Sequence, residues 1–517
     1  LSSYLSTSPL SPVQNPPASP RNDYTKPIAI EPNPTIFLSA GEASGDAYGA
    51  ALIDRLRSTL PTASFIGLGG LQMERAGQHR TVRAEDVAHM GITEVLRHAP
   101  YIYRQYRKLV AVIQRQKPDI AVLIDFPDVN FRLAKHLSRA GVPVIWFVSP
   151  QLWAWKRARL RWVQERVTKM LVIFPFEERF YRERGVDAEF VGHPLAVQPH
   201  TDNTLTKRRH PAAKDFDAII DTLPSNAQGD SGTISTIIRP PDTGNGDGGL
   251  SASALAPQPG TTRDQYAAQH HLDPTRTWIA LLPGSRWKEI RANLPALHEL
   301  AMSDLTGTAA ALTTFDAVGL HPPTDPAAHT RYEFLLPVAS TIDTNELRRY
   351  IATLNAEHLK YFGPEAASLR LTLVPDAREA LALARASVVA SGTATVLAAV
   401  VGNPFVVVYR VSPLTFALAK RLVKYPEEFP RMLDADGNLP VAMVNLIAGK
   451  RIVPELLQER FTAANVANAL GPLLAEGDAR EAQIAALARV RERLLATTST
   501  AASPIDRVAE AVLDLLA

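Results

Sequence analysis

A chain of 517 residues with 40 prolines and 28 glycines has room for two or three domains with sizeable cores, and part of its length lies outside any core. Its 55 Lys and Arg against 52 Asp and Glu leave a net charge of +3, which argues against a bulk nucleic-acid binder; the absence of cysteine excludes disulfides, thiol chemistry and cysteine-ligated zinc. No apolar run reaches the roughly 18 residues that cross a bilayer, and the nearest, 388–408, is interrupted by Ser391, Gly392, Thr393, Gly402, Asn403 and Pro404.

Residues 1–34 are rich in Ser and Pro and poor in acid, so a disordered leader is expected there, with an organelle-targeting segment as the other reading. From residue 35 to about 195, short apolar runs alternate with amphipathic stretches. Strands are predicted at 36–38, 64–68, 120–124, 144–148, 170–174 and 188–191, with helices at 50–59, 104–116 and 131–139. Such βα alternation predicts a doubly wound parallel sheet.

The first strand runs into Ala40-Gly41-Glu42-Ala43-Ser44-Gly45-Asp46, with a helix predicted over 48–60. Strand, tight turn and helix N-terminus form a typical anion-facing element of α/β proteins. Glycines four apart do not match the dinucleotide fingerprint, and two carboxylates suit hydroxyls better than phosphate. An ordinary βα turn with Asp46 near an N-cap is the other reading.

Residues 97–117 mix Tyr101, Tyr103 and Tyr106 with basic residues, and 152–169 mix Trp153, Trp155 and Trp162 with Lys156, Arg157, Arg159, Arg161, Arg166 and Lys169. Both fit an anionic membrane surface, and both equally fit a solvated helix face with buried aromatics. Between them, Asp125 ends an apolar strand, where a partly desolvated carboxylate suits a general base; Asp128 is expected to cap the helix that follows. No histidines show zinc-type spacing, and His193, at a strand exit, is either a cleft residue or a plain loop residue.

Residues 198–262 read as a flexible insertion. A second α/β pattern follows, with strands at 278–282, 372–374, 388–390 and 405–409, interrupted by a poorly patterned stretch at about 304–345. In Pro283-Gly284-Ser285-Arg286 a guanidinium and free N–H groups converge on one point, a diphosphate-type site, with Glu289 placed to orient Arg286 or meet a hydroxyl; a capped helix with a surface ion pair is the alternative. Ser391-Gly392-Thr393 forms a second small-residue turn of this kind. After Asn445 the chain reads as helices to its end.

These motifs, taken in order, resemble the lipid-A-disaccharide synthase family of glycosyltransferases. The matching segments are SAGEASGD, MGITEVL, PDIAVLIDFPDVN, VSPQLWAWKRARL, FPFEERFY, VGHP, LLPGSRWKEI, ASGTAT, YRVSPLTFALAKRLVK and NLIAGKRIVPELLQERFT. They are collinear and cover most of 35–195 and of 278 to about 475. The resemblance implies a GT-B fold, two Rossmann-like domains with parallel sheets facing a central cleft and a helical C-terminus. The expected division is a leader 1–34, a first domain 35–197 on the acceptor and membrane side, an insertion or linker 198–265, a UDP-sugar domain 266–480 and C-terminal helices 481–517.

The implied reaction joins UDP-2,3-diacylglucosamine to 2,3-diacylglucosamine 1-phosphate with inversion, releasing UDP and a β-1,6 disaccharide of lipid A biosynthesis. By the same resemblance Asp125 matches the proposed base, Glu42 and Ser44 line the sugar side, Arg286 and Glu289 the donor loop, and Asn445 the nucleotide. Ser391, Gly392 and Thr393 join the diphosphate seat, and Met90, Ile92, Val95 and Leu96 a membrane or acyl-chain contact. No cofactor or metal is expected. The implied partners are the two lipid substrates and an anionic membrane surface, with no nucleic acid; a homodimer is left open, and the location is cytoplasmic, peripheral on the inner membrane. Leu397 stands where the family usually has a glutamate for the ribose hydroxyls. That departure keeps open a relative with another UDP-sugar, or a non-catalytic binding protein.

Overall fold

The computed structural model describes residues 33–88, 92–197, 261–302, 332–362, 371–423, 425–426, 429–430, 432–495 and 502–517. Two sheets organise them. The first contains β1 (Thr35–Ala40), β2 (Ser64–Gly69), β3 (His79–Arg83), β4 (Ile120–Ile124), β5 (Val144–Phe147), β6 (Lys169–Val172) and β7 (Ala188–Phe190), in the order β3-β2-β1-β4-β5-β6-β7. The second contains β8 (Thr277–Leu282), β9 (Tyr332–Pro337), β10 (Leu371–Val374), β11 (Ala386–Ala390), β12 (Phe405–Tyr409) and β13 (Glu455–Leu457), in the order β10-β9-β8-β11-β12-β13. Every neighbouring pair is parallel. Both sheets are thus Rossmann-like, and the strand order reverses between β1 and β4 and again between β8 and β11, where α/β proteins bind ligands.

A parallel sheet is covered on both faces, so its strands are apolar on both sides. In the first sheet Phe37, Leu68, Ala121, Leu123, Val144 and Trp146 enter one core, while Ile36, Leu38, Ile120, Val122, Ile124 and Ile145 enter the other. The alternation is the period of two of an extended strand. The second sheet is likewise clad by two cores.

Three strands depart from the sequence expectation. β3 is an edge strand with only Val82 buried, and β13 is three residues long, so neither offers a periodic apolar signal. β9 lies within the stretch expected to be unpatterned, yet Phe334, Leu335 and Leu336 are buried between β8 and β10. The insertion at 198–260, the rest of the second one at 303–331 and the leader 1–32 lie outside the described residues.

The C-terminal helices divide between the halves. The Asp478–Leu494 helix packs Leu487, Val490 and Leu494 into the second half. The Pro504–Leu516 helix returns to the first half, placing Val508, Ala509 and Val512 against Leu52, Ile53 and Leu56. Arg55 to Asp506 at 2.6 Å and Arg507 to Glu189 at 2.8 Å fix its register. In the opposite direction, Ala196 belongs to a core of the second half, and His193 N–H donates to the Leu494 carbonyl at 2.8 Å.

Candidate active site

Four loops stand at the two switch points, where α/β proteins bind ligands. After β1 the chain turns at Gly41 and enters a helix at Ala43, five residues earlier than the sequence expectation. A Cβ at Gly41 would lie 2.4 Å from the Phe126 ring, so glycine lets the β1 and β4 loops close on each other. Further along, Gly49 receives Met73, where a Cβ would fall 2.6 Å from the sulfur. The four-residue glycine spacing therefore includes a helix face pressed onto its neighbours. Asp46 caps no part of its own helix: its carboxylate accepts N–H bonds from Gly70, Gln72 and Met73 at 2.8, 3.0 and 3.1 Å, tying down the loop after β2.

Glu42 is the N-cap residue of the Ala43–Thr59 helix, and its side chain makes no cap bond. Its carboxylate instead reaches across to the other half and pairs with Arg286 at 3.0 Å. Ser44 sits in the first turn, half-buried. Asp125 follows β4 with φ of 47°, and Phe126 has φ of 48°. Two consecutive non-glycine residues in the left-handed region are costly and are held only where surroundings dictate them. The hold comes from Asn130, fully buried, whose Nδ2 donates to the Asp125 carbonyl at 2.7 Å while its Oδ1 accepts from the Ser39 hydroxyl at 2.6 Å. Asn130 thus joins the ends of β1 and β4 and holds the Asp125 backbone in its left-handed turn.

Burial pushes Asp125 up to about 6, and the charge of Glu42 adds to the rise; the Phe126 N–H and the Arg286 guanidinium pull the other way. A carboxylate so placed is ionised near neutrality yet retains affinity for a proton, which suits a general base. Asp128 does not cap the helix as expected. The helix begins at Pro127 with no side-chain cap, and Asp128 is exposed and paired with Arg159 at 2.9 Å. Behind the site, Glu177 is buried, accepts the Trp153 indole N–H at 3.1 Å, and is pushed by burial up to about 8, hence protonated at neutral pH.

In the second half, Gly284 (φ 130°) bends the chain after β8 and the Glu289 carboxylate accepts the Ser285 N–H at 2.9 Å. Glu289 shapes the loop, and Arg286 projects, two-thirds exposed, from the turn before the Trp287–Met302 helix. Asn293, buried, donates to the Pro283 carbonyl at 2.7 Å, as Asn130 does to its own loop. After β11, the Ser391 hydroxyl donates to the Val441 carbonyl at 3.1 Å, Gly392 adopts φ of 151°, and Gly392 and Thr393 are exposed at the uncapped N-terminus of the Thr393–Val401 helix. Uncapped N–H groups and the positive end of the helix dipole suit an anion. Leu397, one turn on, packs partly buried against the core.

One expected residue is placed otherwise. Asn445 is fully buried and its amide is saturated: Nδ2 donates to Val453 O and Glu455 Oε1 at 3.1 and 2.8 Å, and Oδ1 accepts from Ile452 and Val453 N–H at 2.7 and 3.1 Å. No capacity is left for a nucleotide. With Arg451, which reaches Glu455 at 2.9 Å, it builds the loop that carries Val441 to Ser391. Asn445→Ala is therefore expected to lower stability by about 1–3 kcal/mol for each buried group left unpaired, read as an earlier denaturant transition, with UDP affinity of the folded protein retained. His193 is not a cleft residue: it is buried, its Nδ1 accepts the Leu195 N–H at 3.2 Å, and burial pulls it down to about 3, so it stays neutral.

Met90 lies outside the described residues; Ile92, Val95 and Leu96 begin the Ile92–Gln116 helix, whose side chains are described only further along. Among the described residues, no helix is long and apolar enough to cross a membrane, and no group of three or more His, Asp or Glu is arranged to hold a metal ion.

The profile of a family described as lipid-A-disaccharide synthetase matches residues 36–226 and 346–506. A lipid-A-disaccharide synthase of Acidobacterium capsulatum is 44% identical over 483 residues, 93% of this chain and 96% of the relative. That of Koribacter versatilis is 40% identical over 481 residues, 93% of this chain and 98% of the relative. Among solved structures, a UDP-GlcNAc 2-epimerase from Neisseria meningitidis bound to UDP-GlcNAc aligns at 11% identity with a TM-score of 0.44, over 94% of this chain and 99% of that one.

Proposed function

The chain belongs to the lipid-A-disaccharide synthase family, and on that premise we propose how its cleft performs the reaction. The protein is a glycosyltransferase of lipid A biosynthesis acting on a sugar nucleotide and a sugar phosphate. The donor is UDP-2,3-diacylglucosamine and the acceptor 2,3-diacylglucosamine 1-phosphate. Asp125 takes the proton of the acceptor 6-hydroxyl as its oxygen attacks the anomeric carbon of the donor. The bond from that carbon to the diphosphate breaks on the opposite face, inverting the centre, and UDP departs with the electron pair. Arg286 and the N–H groups of the Gly392–Thr393 turn meet the charge growing on the diphosphate, in the manner of an oxyanion hole. Glu42 and Ser44 accept and donate to sugar hydroxyls. The stabilisation is assigned to protein groups alone, and no metal is called on.

The observation that carries this reading is the convergence of Asp125, Glu42 and Arg286 at the facing switch points of two sheets. A peripheral position on an anionic inner-membrane surface, on the cytoplasmic side, accompanies it. Exposed Tyr103 and Trp155 support that, as does the Leu414, Leu418 and Leu422 stripe on the Pro413–Leu422 helix, which ends in Lys420 and Arg421. The test is to incubate the chain with both lipid substrates and follow UDP and a phosphorylated disaccharide. Formation of both supports the reading. UDP binding without product would favour a different sugar acceptor or donor, and no saturable UDP binding at about millimolar concentration, a bound weaker than about −4 kcal/mol, would leave a non-catalytic protein.

A further inference from the structure

The two basic, aromatic segments of the sequence meet on the outer side of the first sheet. Tyr106 from the Ile92–Gln116 helix and Trp162 and Arg166 from the Leu160–Arg166 helix face the Pro127–Arg139 helix across a cavity of about 300 Å³. That volume is at the lower end of small-molecule sites. Its inner wall is aromatic, with Phe131 and Trp162 edge to face at 5.6 Å. Arg159 lies over both rings at 5.6 Å, and Arg166 over Trp162 at 5.0 Å.

The charges are unbalanced. Asp128 answers Arg159 at 2.9 Å, and Glu165 stands 3.9 Å from Arg166, which also donates to the Phe131 carbonyl. Arg132 and Lys135 are exposed on one face of the same helix, and among the described residues neither has a carboxylate partner. His136 senses the excess: burial lowers its proton affinity first, and Arg139, Lys135 and Arg107 lower it further. Asp128 is three residues from Asp125, so the cavity starts near the rim of the cleft and runs along the helix about 6–10 Å to Arg132 and Lys135 at 1.5 Å per residue.

We propose that this cavity is a phosphate site, in which Arg132 and Lys135 clasp a phosphoryl group with Arg159 behind them, while the adjoining part of an amphiphilic ligand packs on Trp162 and Phe131. Planar guanidinium donors match phosphate oxygens, and aromatic faces suit a sugar ring or glycerol backbone. The phosphate has two sources, a bilayer phospholipid or the phosphorylated end of the lipid acceptor; only the second rests on the transferase reading above.

The test uses the full chain and the double variant R132A/K135A, whose altered side chains are exposed and enter no described hydrogen bond or ion pair, with histidine-labelled samples and the His136 signal identified by its loss in His136→Gln. Inorganic phosphate, added at constant ionic strength, is expected to raise the His136 pKa in the wild type and leave the double variant unmoved. An unmoved His136 in the wild type overturns the site. Vesicles of phosphatidylcholine with and without phosphatidic acid then separate the sources. A loss of about tenfold or more in binding to the acidic vesicles, the cost of one or two charge-assisted hydrogen bonds, assigns the phosphate to the bilayer. An acceptor KM raised by a similar factor, with kcat and vesicle binding unchanged, assigns it to the acceptor. Both unchanged, with a phosphate response in His136, means an adventitious ion only and defeats the proposal. Absent turnover in the wild type would sink the transferase reading instead, and leave the phosphate titration to stand or fall by itself.

Discussion

Replacing Asp125 by Asn is expected to reduce kcat by about 10²–10⁴-fold, the usual worth of a positioned general base, with the fold and UDP affinity kept. Asparagine preserves the shape and the left-handed turn, to which it is well suited, while losing proton affinity. The pH profile carries a second signature. Because burial and Glu42 raise the Asp125 pKa to about 6, the base is ionised above that pH and protonated below it. Activity is therefore expected to be present above about 6 and to fall as the pH drops through it. Glu42→Gln removes a charge that raises this pKa, so the acidic limb should move to lower pH. Wild-type turnover in the Asp125→Asn variant, or a limb that stays put in Glu42→Gln, would refute the assignment.

Arg286→Ala is expected to cost about 10²–10³-fold in kcat, the loss seen when one preorganised donor to a developing anion is removed. Arg286 is the principal cation projecting from the β8 loop, and its one described carboxylate partner, Glu42, belongs to the opposite half. In the proposed mechanism the diphosphate competes with Glu42 for the same guanidinium. Arg286→Lys keeps the charge but not the two-pronged fork, and should recover only part of the loss. The discriminating measurement is kcat against the UDP dissociation constant: a variant that only weakens UDP binding, with kcat intact, would move Arg286 from the transition state to ground-state binding.

The loops that matter were legible because each places small or charged residues directly after an apolar strand. Asp125, Arg286 and Ser391 to Thr393 stand out in this way as candidates, and the two parallel sheets follow from the repeated alternation of strand and helix. What the sequence hid is a matter of distance. Asn130 and Asn293 look like ordinary helix residues until folding brings a bent carbonyl under each amide. The resemblance puts Asn445 near the nucleotide, but a polar residue in a short motif reads the same whether its partners are a nucleotide or Glu455, ten residues later. Asp128 reads as the cap of its own helix and Asp46 allows the same reading, while their partners are Arg159 and the loop after β2. The edge strands β3 and β13 carry too few buried residues to announce themselves.

The last helix has a consequence for how the protein is made. Leu52, Ile53 and Leu56 are covered by a segment that leaves the ribosome about 310 residues after β7. At about 5–20 residues per second that is roughly 15–60 s during which the first half is translated in full but still shows a greasy face. Through that interval the nascent chain offers this face to a chaperone, and docking of the Pro504–Leu516 helix is the step that completes the first domain.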